Sequence, residues 1–220
     1  RRVLFRSLRD LAAISQVAES ANVLVAHPAL PVRTIRDLIA LAKAKPGTLS
    51  AASPGISGTP HMAAELFKLM TGADLLIIVY KGSGPGSIAV MSGEVSLQFS
   101  TPPSSLPYVR AGRMRALGVT TRSRVPSMPE VPTIAESGVP GYEATQWFGL
   151  FTAGGTSSAI VDRLSQETSR AVRSSDLKDR MSAEGLQPVG NTPAEFSAYL
   201  KAEMAKWAKV VKAANIKPQQ

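Results

Sequence analysis

The chain has 220 residues, 44% hydrophobic, 19% charged and 5% aromatic. That balance supports a packed core and excludes a disordered chain. It has no cysteine, which excludes disulfides, thiolate metal sites and cysteine nucleophiles, and its formal charge of +9 suits acidic partners.

The first seven residues, Arg1-Arg2-Val3-Leu4-Phe5-Arg6-Ser7, read like a translated sequencing adapter and are expected to be a non-native leader. They have charge but not the apolar centre or cleavage site of a signal peptide. Val23–Ala26 reads as a buried strand stopped by His27-Pro28. Thr34 caps a helix through Lys45, with Asp37 three residues on in a variant capping box, and Pro46-Gly47 ends it. Leu49–Ala52 is a strand and Thr59–Met70 a helix ending at Gly72. Leu75–Tyr80 is a near-continuous apolar strand, as in a sheet covered on both faces. Lys81–Ser87 is a small-residue loop that enters a short helix to Ser92, ended by Gly93. Val95–Phe99 is a strand, Ser104–Arg110 a short helix and Arg115–Thr120 a strand.

Between Thr121 and Gln146 the alternation breaks. Pro126, Pro129, Pro132 and Pro140 mark a structured surface loop with a short helix at Thr133–Ser137. Trp147–Phe151 is a strand. Helices follow at Thr156–Arg173 and Asp176–Glu184, then a strand at Leu186–Val189. Thr192-Pro193-Ala194-Glu195 is a capping box with proline at the first helical position, and its helix runs to about Ala213. Strand–helix alternation implies a mostly parallel sheet flanked by helices, and the change of character after Thr121 implies two lobes.

The stretch from Ala51 to His61 carries the functional signal. A small-residue loop, Ser53-Pro54-Gly55-Ile56-Ser57-Gly58-Thr59, runs from a strand into a helix. Helix N-termini leave N–H groups unpaired and carry partial positive charge, so they suit a carboxylate or phosphate. Gly82-Ser83-Gly84 repeats the arrangement after the next strand, at the same edge of a parallel sheet. Neither loop has the Gly-Lys-Ser/Thr ending of a nucleotide P-loop or matches Gly-x-Gly-x-x-Gly, and each alone also fits a tight turn. His61 could donate to an anion or serve only as a cap or packing residue. His27 and His61 are the only histidines, so no metal site is expected. No nucleophile elbow and no close acidic pair is present. The arginines at 110, 113, 115, 122 and 124 are broken by Gly112 and not interleaved with aromatics, so nucleic-acid binding is not expected. No apolar run reaches the ~20 residues that span a bilayer. Trp147 and Phe148 pack in a core or line a cleft, and Phe196, Tyr199, Leu200, Met204, Trp207, Val210 and Val211 form a helical packing stripe. Two readings compete: a protein that holds a small organic anion, or an enzyme on a carboxylated or phosphorylated metabolite with the same loops as its anion cradle.

Several motifs in order resemble the substrate-binding proteins of tripartite tricarboxylate transporters, the Bug family of extracytoplasmic solute receptors. They are Asn22–Pro31, Leu38–Gly47, Ser53–His61, Val79-Tyr80-Lys81-Gly82, Gly112–Leu117, Val131–Glu136, Pro140-Gly141-Tyr142-Glu143 and Trp147-Phe148-Gly149-Leu150. The resemblance implies an α/β fold of the type II periplasmic-binding-protein kind, two lobes with mostly parallel sheets flanked by helices. It places residues 22–145 in one lobe, and 8–21 with 146–220 in the remainder of the other. It implies that a signal peptide, a first strand and a ligand-holding loop lie upstream, that the first lobe is incomplete here, and that these residues alone bind poorly, if at all. The implied ligand is a di- or tricarboxylate or related acid. The implied partners are the membrane components of the transporter, the compartment is the periplasm, and the complete protein is a monomer with no cofactor and no catalysis. The ligand-binding set expected is Ser53, Gly55, Ser57, Gly58, Thr59, His61, Lys81, Gly82, Ser83, Ser100 and Trp147. One departure stands out. Many relatives carry an Asp where this chain reads Phe99-Ser100-Thr101-Pro102-Pro103-Ser104, which favours a ligand that is all acceptor.

Overall fold

The computed structural model describes residues 10–216, so the expected leader lies outside the described residues. Two compact units divide the chain. The first takes residues through Ser20 and Trp147–Lys206, the second Ala21–Gln146 and the chain from Trp207 onward.

The chain opens in the first unit with β1 (Leu11–Ser20). The sequence reading gave this segment no strand. Its run Leu-Ala-Ala-Ile-Ser-Gln-Val-Ala-Glu-Ser has few β-branched residues, and its pairing on both sides supplies what propensity does not.

The second unit follows: β2 (Val23–Ala26), α1 (Ile35–Ala44), β3 (Leu49–Ser53), α2 (Thr59–Thr71), β4 (Leu75–Val79), α3 (Ser83–Ser92), β5 (Leu97–Ser100), α4 (Pro102–Arg110) and β6 (Arg115–Val119). Its five strands run in the order β4-β3-β5-β2-β6. β3 is parallel to β4 and β5, whereas β2 is antiparallel to β5 and β6. The sheet is therefore mixed rather than mostly parallel. β2 lies between β5 and β6 and not beside β3, which follows it through α1, so no crossover between consecutive strands makes it parallel to a neighbour. Side chains alternate along β2: Leu24 and Ala26 join a core with Leu38, Phe67 and Phe99, while Val23 and Val25 join another with Val90, Met114 and Met128.

Three expectations shift. Leu75–Val79 is not covered on both faces: it is the edge strand β4, with Leu76 58% and Val79 47% exposed. An apolar run alone does not separate edge from centre. β5 begins at Leu97, because the Val95 N–H is taken by the Ala89 carbonyl at 3.2 Å. α4 begins at Pro102, since prolines are tolerated in a first turn.

The 121–146 segment has no helix at Thr133–Ser137. Ser137 closes a turn onto the Thr133 carbonyl at 3.1 Å, and Thr133 bridges Val119 at the edge of β6. Nor is it a surface loop: Val125, Met128, Val131, Ile134, Val139 and Tyr142 are buried, and the Tyr142 hydroxyl donates to the Ala63 carbonyl at 2.8 Å.

The chain returns to the first unit with β7 (Gln146–Ala153), α5 (Ser158–Val172), α6 (Ser175–Ala183), β8 (Leu186–Pro188) and α7 (Pro193–Ala213). Its sheet has the order β7-β1-β8, β8 antiparallel to β1, with α5 packed on β1. Phe196 of α7 is fully buried against Trp147 and Phe151. A Cβ on Gly149 would overlap the Phe196 ring, so the glycine admits that ring. Farther along α7, Val210 and Trp207 join the core of the second unit rather than the first lobe that 146–220 was expected to complete.

Both capping boxes form. Thr34 Oγ1 accepts from Asp37 N at 3.1 Å, and Asp37 Oδ2 accepts from the N–H groups of Arg33 and Thr34 at 2.9 and 3.0 Å. The Arg33 N–H, before the Thr34 hydroxyl, holds the Asp37 carboxyl below its usual range. Glu195 Oε2 accepts from Thr192 N and Oγ1, both at 2.8 Å.

Candidate functional site

The parallel alignment of β3, β4 and β5 decides the site. Ser53 stands opposite Val79, and Ala52 opposite Gln98, so the three strands end along one edge of the sheet. Each then enters a helix: α2 behind the N-cap Gly58, α3 behind Gly82 and α4 behind Thr101, none with a side-chain cap bond. The first two loops are tied together. Gly82 N–H donates to Pro54 O at 3.2 Å, and Tyr80 N–H to Ser53 O at 2.8 Å.

The prolines decide how many donors remain. Pro60 and Pro85 have no N–H, and Pro102 and Pro103 remove both from the start of α4, where Ser104 N–H already bonds Thr101 O at 3.1 Å. The first helical N–H groups left are those of Thr59 and His61 in α2 and of Ser83 and Gly84 in α3. Among the described residues none of these four has a backbone acceptor. Within Ser57–His61 and Gly82–Ser87, proline removes the donors at 60 and 85, and the Gly82 N–H is already taken by Pro54 O.

The charge balance agrees. Residues 53–61, 80–87 and 100–105 contain no Asp or Glu, and Lys81 is their only Lys or Arg. Lys81 is exposed. Ser57 is exposed and held at φ 63°, a left-handed conformation uncommon for a non-glycine residue. Gly55 and Gly58 border open space: a Cβ meets nothing within 4 Å at Gly55 and only Pro60 Cδ at 3.8 Å at Gly58. Thr59 is half-buried at the start of α2, and Gly82 and Ser83 are half-buried at the start of α3.

Other expected residues have internal duties. Ser53 is buried and its hydroxyl donates to Gly55 O at 2.7 Å, holding the turn. Ser100 is buried at the end of β5 beside Thr101. His61 is 7% exposed, and its Nδ1 has no hydrogen-bond partner among the described residues. Burial, the largest cause, lowers its pKa; Glu65 opposes this and Lys68 adds to it. The ring therefore resists protonation more than an ordinary imidazole, and its backbone N–H has no backbone acceptor among the described residues. Trp147 belongs to the first unit, packed edge-on to Phe196 and Tyr199 at centroid distances of 5.7 and 6.2 Å. The three loops all belong to the second unit.

One residue escaped the sequence reading. Gln98 is fully buried in β5 and bonds the first turn of α3, and Gly86 lies against it. The available signal was a lone amide in an otherwise apolar strand, Leu97-Gln98-Phe99.

A concavity of about 700 Å³ lies at the opposite edge of this sheet, beside Arg33, Arg36, Arg115 and Glu130. Its lining mixes both charge signs, and the N-terminus of α1 beside it is already filled by the Asp37 carboxylate, so the three-loop edge suits an anion better. No group of three or more His, Cys, Asp or Glu among the described residues could hold a metal, and no helix among them is long and apolar enough to cross a membrane.

Comparison with known proteins supplies a family. Residues 1–216 match the family described as tripartite tricarboxylate transporter family receptor, a match that includes the segment set apart above as a leader. BugT of Bordetella pertussis is 34% identical over 97% of this chain. The chain spans 65% of BugT's length, less than two thirds. Among solved structures, R. palustris Rpa4515 with adipate has a TM-score of 0.79 at 35% identity, over 98% of this chain and 72% of that one. MatC from Rhodopseudomonas palustris with bound malate has a TM-score of 0.73 at 25% identity, over 96% of this chain and 73% of that one. The two-lobed periplasmic-binding-protein fold expected from the sequence is the fold of these neighbours.

Proposed function

The chain belongs to the tripartite tricarboxylate transporter receptor family, and from that premise we propose that it captures a small dicarboxylate without transforming it. One observation carries the reading: two helix N-termini present four N–H groups that have no backbone acceptor among the described residues, beside Lys81 on loops without a single carboxylate. Oriented backbone donors match carboxylate oxygens and need no ionisable partner. Adipate on Rpa4515 and malate on MatC support a dicarboxylate as the ligand class. The proposal extends to the periplasm as the compartment and to the membrane components of a tripartite transporter as the recipients.

The reading assigns separate duties. The N–H groups of Thr59, His61, Ser83 and Gly84 would hold a carboxylate, and the Thr59 hydroxyl would add a contact. Lys81 would raise the local concentration of anions. No acid, base or nucleophile is called on, so the ligand leaves unchanged.

NMR titration of the protein with adipate tests the proposal, using three variants. Gly58 has φ −71° and open space at its Cβ, so Gly58→Val fits the fold and should obstruct only an approaching ligand. It should abolish binding in a folded protein. Thr59→Ala should weaken binding by about fivefold, and Lys68→Ala, a control far along α2, should leave it unchanged. Wild-type affinity in a folded Gly58→Val protein would remove this loop from the site.

A further inference from the structure

We propose that Gln98 is the positioning residue for the α3 half of this cradle: from inside the sheet it fixes the helix turn whose N–H groups face the ligand. The inference rests on the carboxylate reading above. It starts from a buried amide. Gln98 lies on β5 with no exposure, and both ends of its side chain reach the same turn. Its Nε2 donates to Ser83 O at 3.1 Å, and its Oε1 accepts from Ser87 Oγ at 3.0 Å. Ser87 is also buried.

Those two partners bracket the first turn of α3, which carries the proposed donors Ser83 and Gly84. The turn has few restraints within itself. Gly82 gives it no side-chain cap, Pro85 removes one N–H, and Gly84 and Gly86 within it have the widest backbone freedom. A helix start of this composition frays unless something holds it.

The fit is close. A Cβ on Gly86 would stand 2.9 Å from Gln98 Nε2 and 3.2 Å from Ala52 Cβ, so only glycine lets the turn settle onto the amide and β3. Gln98 also stands beside Ala52 in the β3–β5 pairing. It therefore refers the α3 turn to the strand that leads into the α2 loop. The two pairs of donors keep a fixed separation through this side chain, as well as through the Gly82–Pro54 bond. Gln98 touches no ligand in this scheme and acts only through the backbone of α3.

Hydrogen–deuterium exchange and adipate titration of Gln98→Met, an unbranched replacement of similar length, test the inference. Exchange should quicken within residues 83–87 and stay at the wild-type rate in α2 (Thr59–Thr71). Adipate binding should weaken by about tenfold. Gly86→Ala, which displaces the amide from the other side, should reproduce both effects. Ser87→Ala, which removes one of the two bonds, should fall between. Unchanged exchange at 83–87 in Gln98→Met would overturn the assignment. So would faster exchange throughout the second unit, which marks a packing role, or wild-type affinity despite a loosened turn. Failure of the carboxylate reading would show instead as no adipate binding by the unsubstituted protein with its first lobe complete, and the exchange result then decides on its own whether Gln98 fixes the turn.

Discussion

The N–H of Gly82 donates to the carbonyl of Pro54 at 3.2 Å, so the loop that opens α3 is fastened to the loop that opens α2. Gly82 reaches that position with φ 101° and ψ 175°, a region essentially closed to residues with a Cβ. A Cβ there meets nothing within 4 Å, so any cost of substitution is conformational and not a clash. Gly82→Ala should cost about 1–3 kcal/mol, a melting-temperature loss of roughly 3–10 °C. Gly55→Ala, with equally open space and no positive φ, should melt like the parent. Equal melting of both variants would show that the Gly82 conformation is unstrained.

Lys81 precedes that glycine. Its side chain is exposed, so substitution should leave stability nearly unchanged. Its charge should still matter to an anion. Lys81→Ala should weaken adipate binding by about threefold, and Lys81→Glu by tenfold or more. Raising NaCl from ~0.05 to ~0.5 M should weaken binding to the parent more than to Lys81→Ala, because screening acts on the charge that the variant lacks. Identical salt slopes would exclude Lys81 from the recognition of ligand.

Local chemistry was legible in the sequence, and long-range placement was not. The Thr34–Asp37 and Thr192–Glu195 boxes, and the glycines that end α2 and α3, act within four residues, and the structure has them where the sequence puts them. Whether Leu75–Val79 lies at the edge or the centre of a sheet depends on strands far away in the chain. The same holds for β1, whose partners begin at Gln146 and Leu186. The 121–146 segment showed its prolines, which mark turns, but not that Ile134 and Tyr142 fill the core between those turns. At the candidate site the glycines and serines were visible. The loss of donors to Pro60, Pro85, Pro102 and Pro103 was also in the sequence, and it acquired meaning only once three helix starts were seen at one edge.

In the first unit, Gly149 is a packing requirement. Its Cβ would overlap the Phe196 ring, and Phe196 is fully buried between Trp147 and Phe151. Gly149→Ala should therefore destabilise by about 1–3 kcal/mol, as overpacking does. Shrinking the ring in Gly149→Ala/Phe196→Leu should recover part of that loss, although Phe196→Leu alone is itself destabilising. Denaturant unfolding of the four proteins gives the coupling between the two sites. Strict additivity would show that the backbone gives way rather than the ring.

His61 separates a side-chain role from a backbone role within one residue. Burial holds its imidazole below the ordinary value, Glu65 opposes this and Lys68 reinforces it. The sign follows. With a folded pKa below that of the unfolded chain, the unfolded state binds the proton first as pH falls. Stability is whole above about pH 6.5 and declines below it as the unfolded chain charges and the buried ring resists. Between pH 7.5 and 5.5 the parent should lose more melting temperature than His61→Leu, while His27 is common to both proteins. The same variant bears on the site. A leucine at this position would keep the backbone N–H assigned to the ligand and remove only the ring. His61→Leu should therefore bind adipate within about twofold of the parent at pH 7.5, where the imidazole is already neutral. Loss of binding in a folded His61→Leu protein would transfer the contact from the backbone to the unpartnered Nδ1. Equal pH slopes for the two proteins would mean that the ring is no harder to charge in the folded state than in the unfolded one.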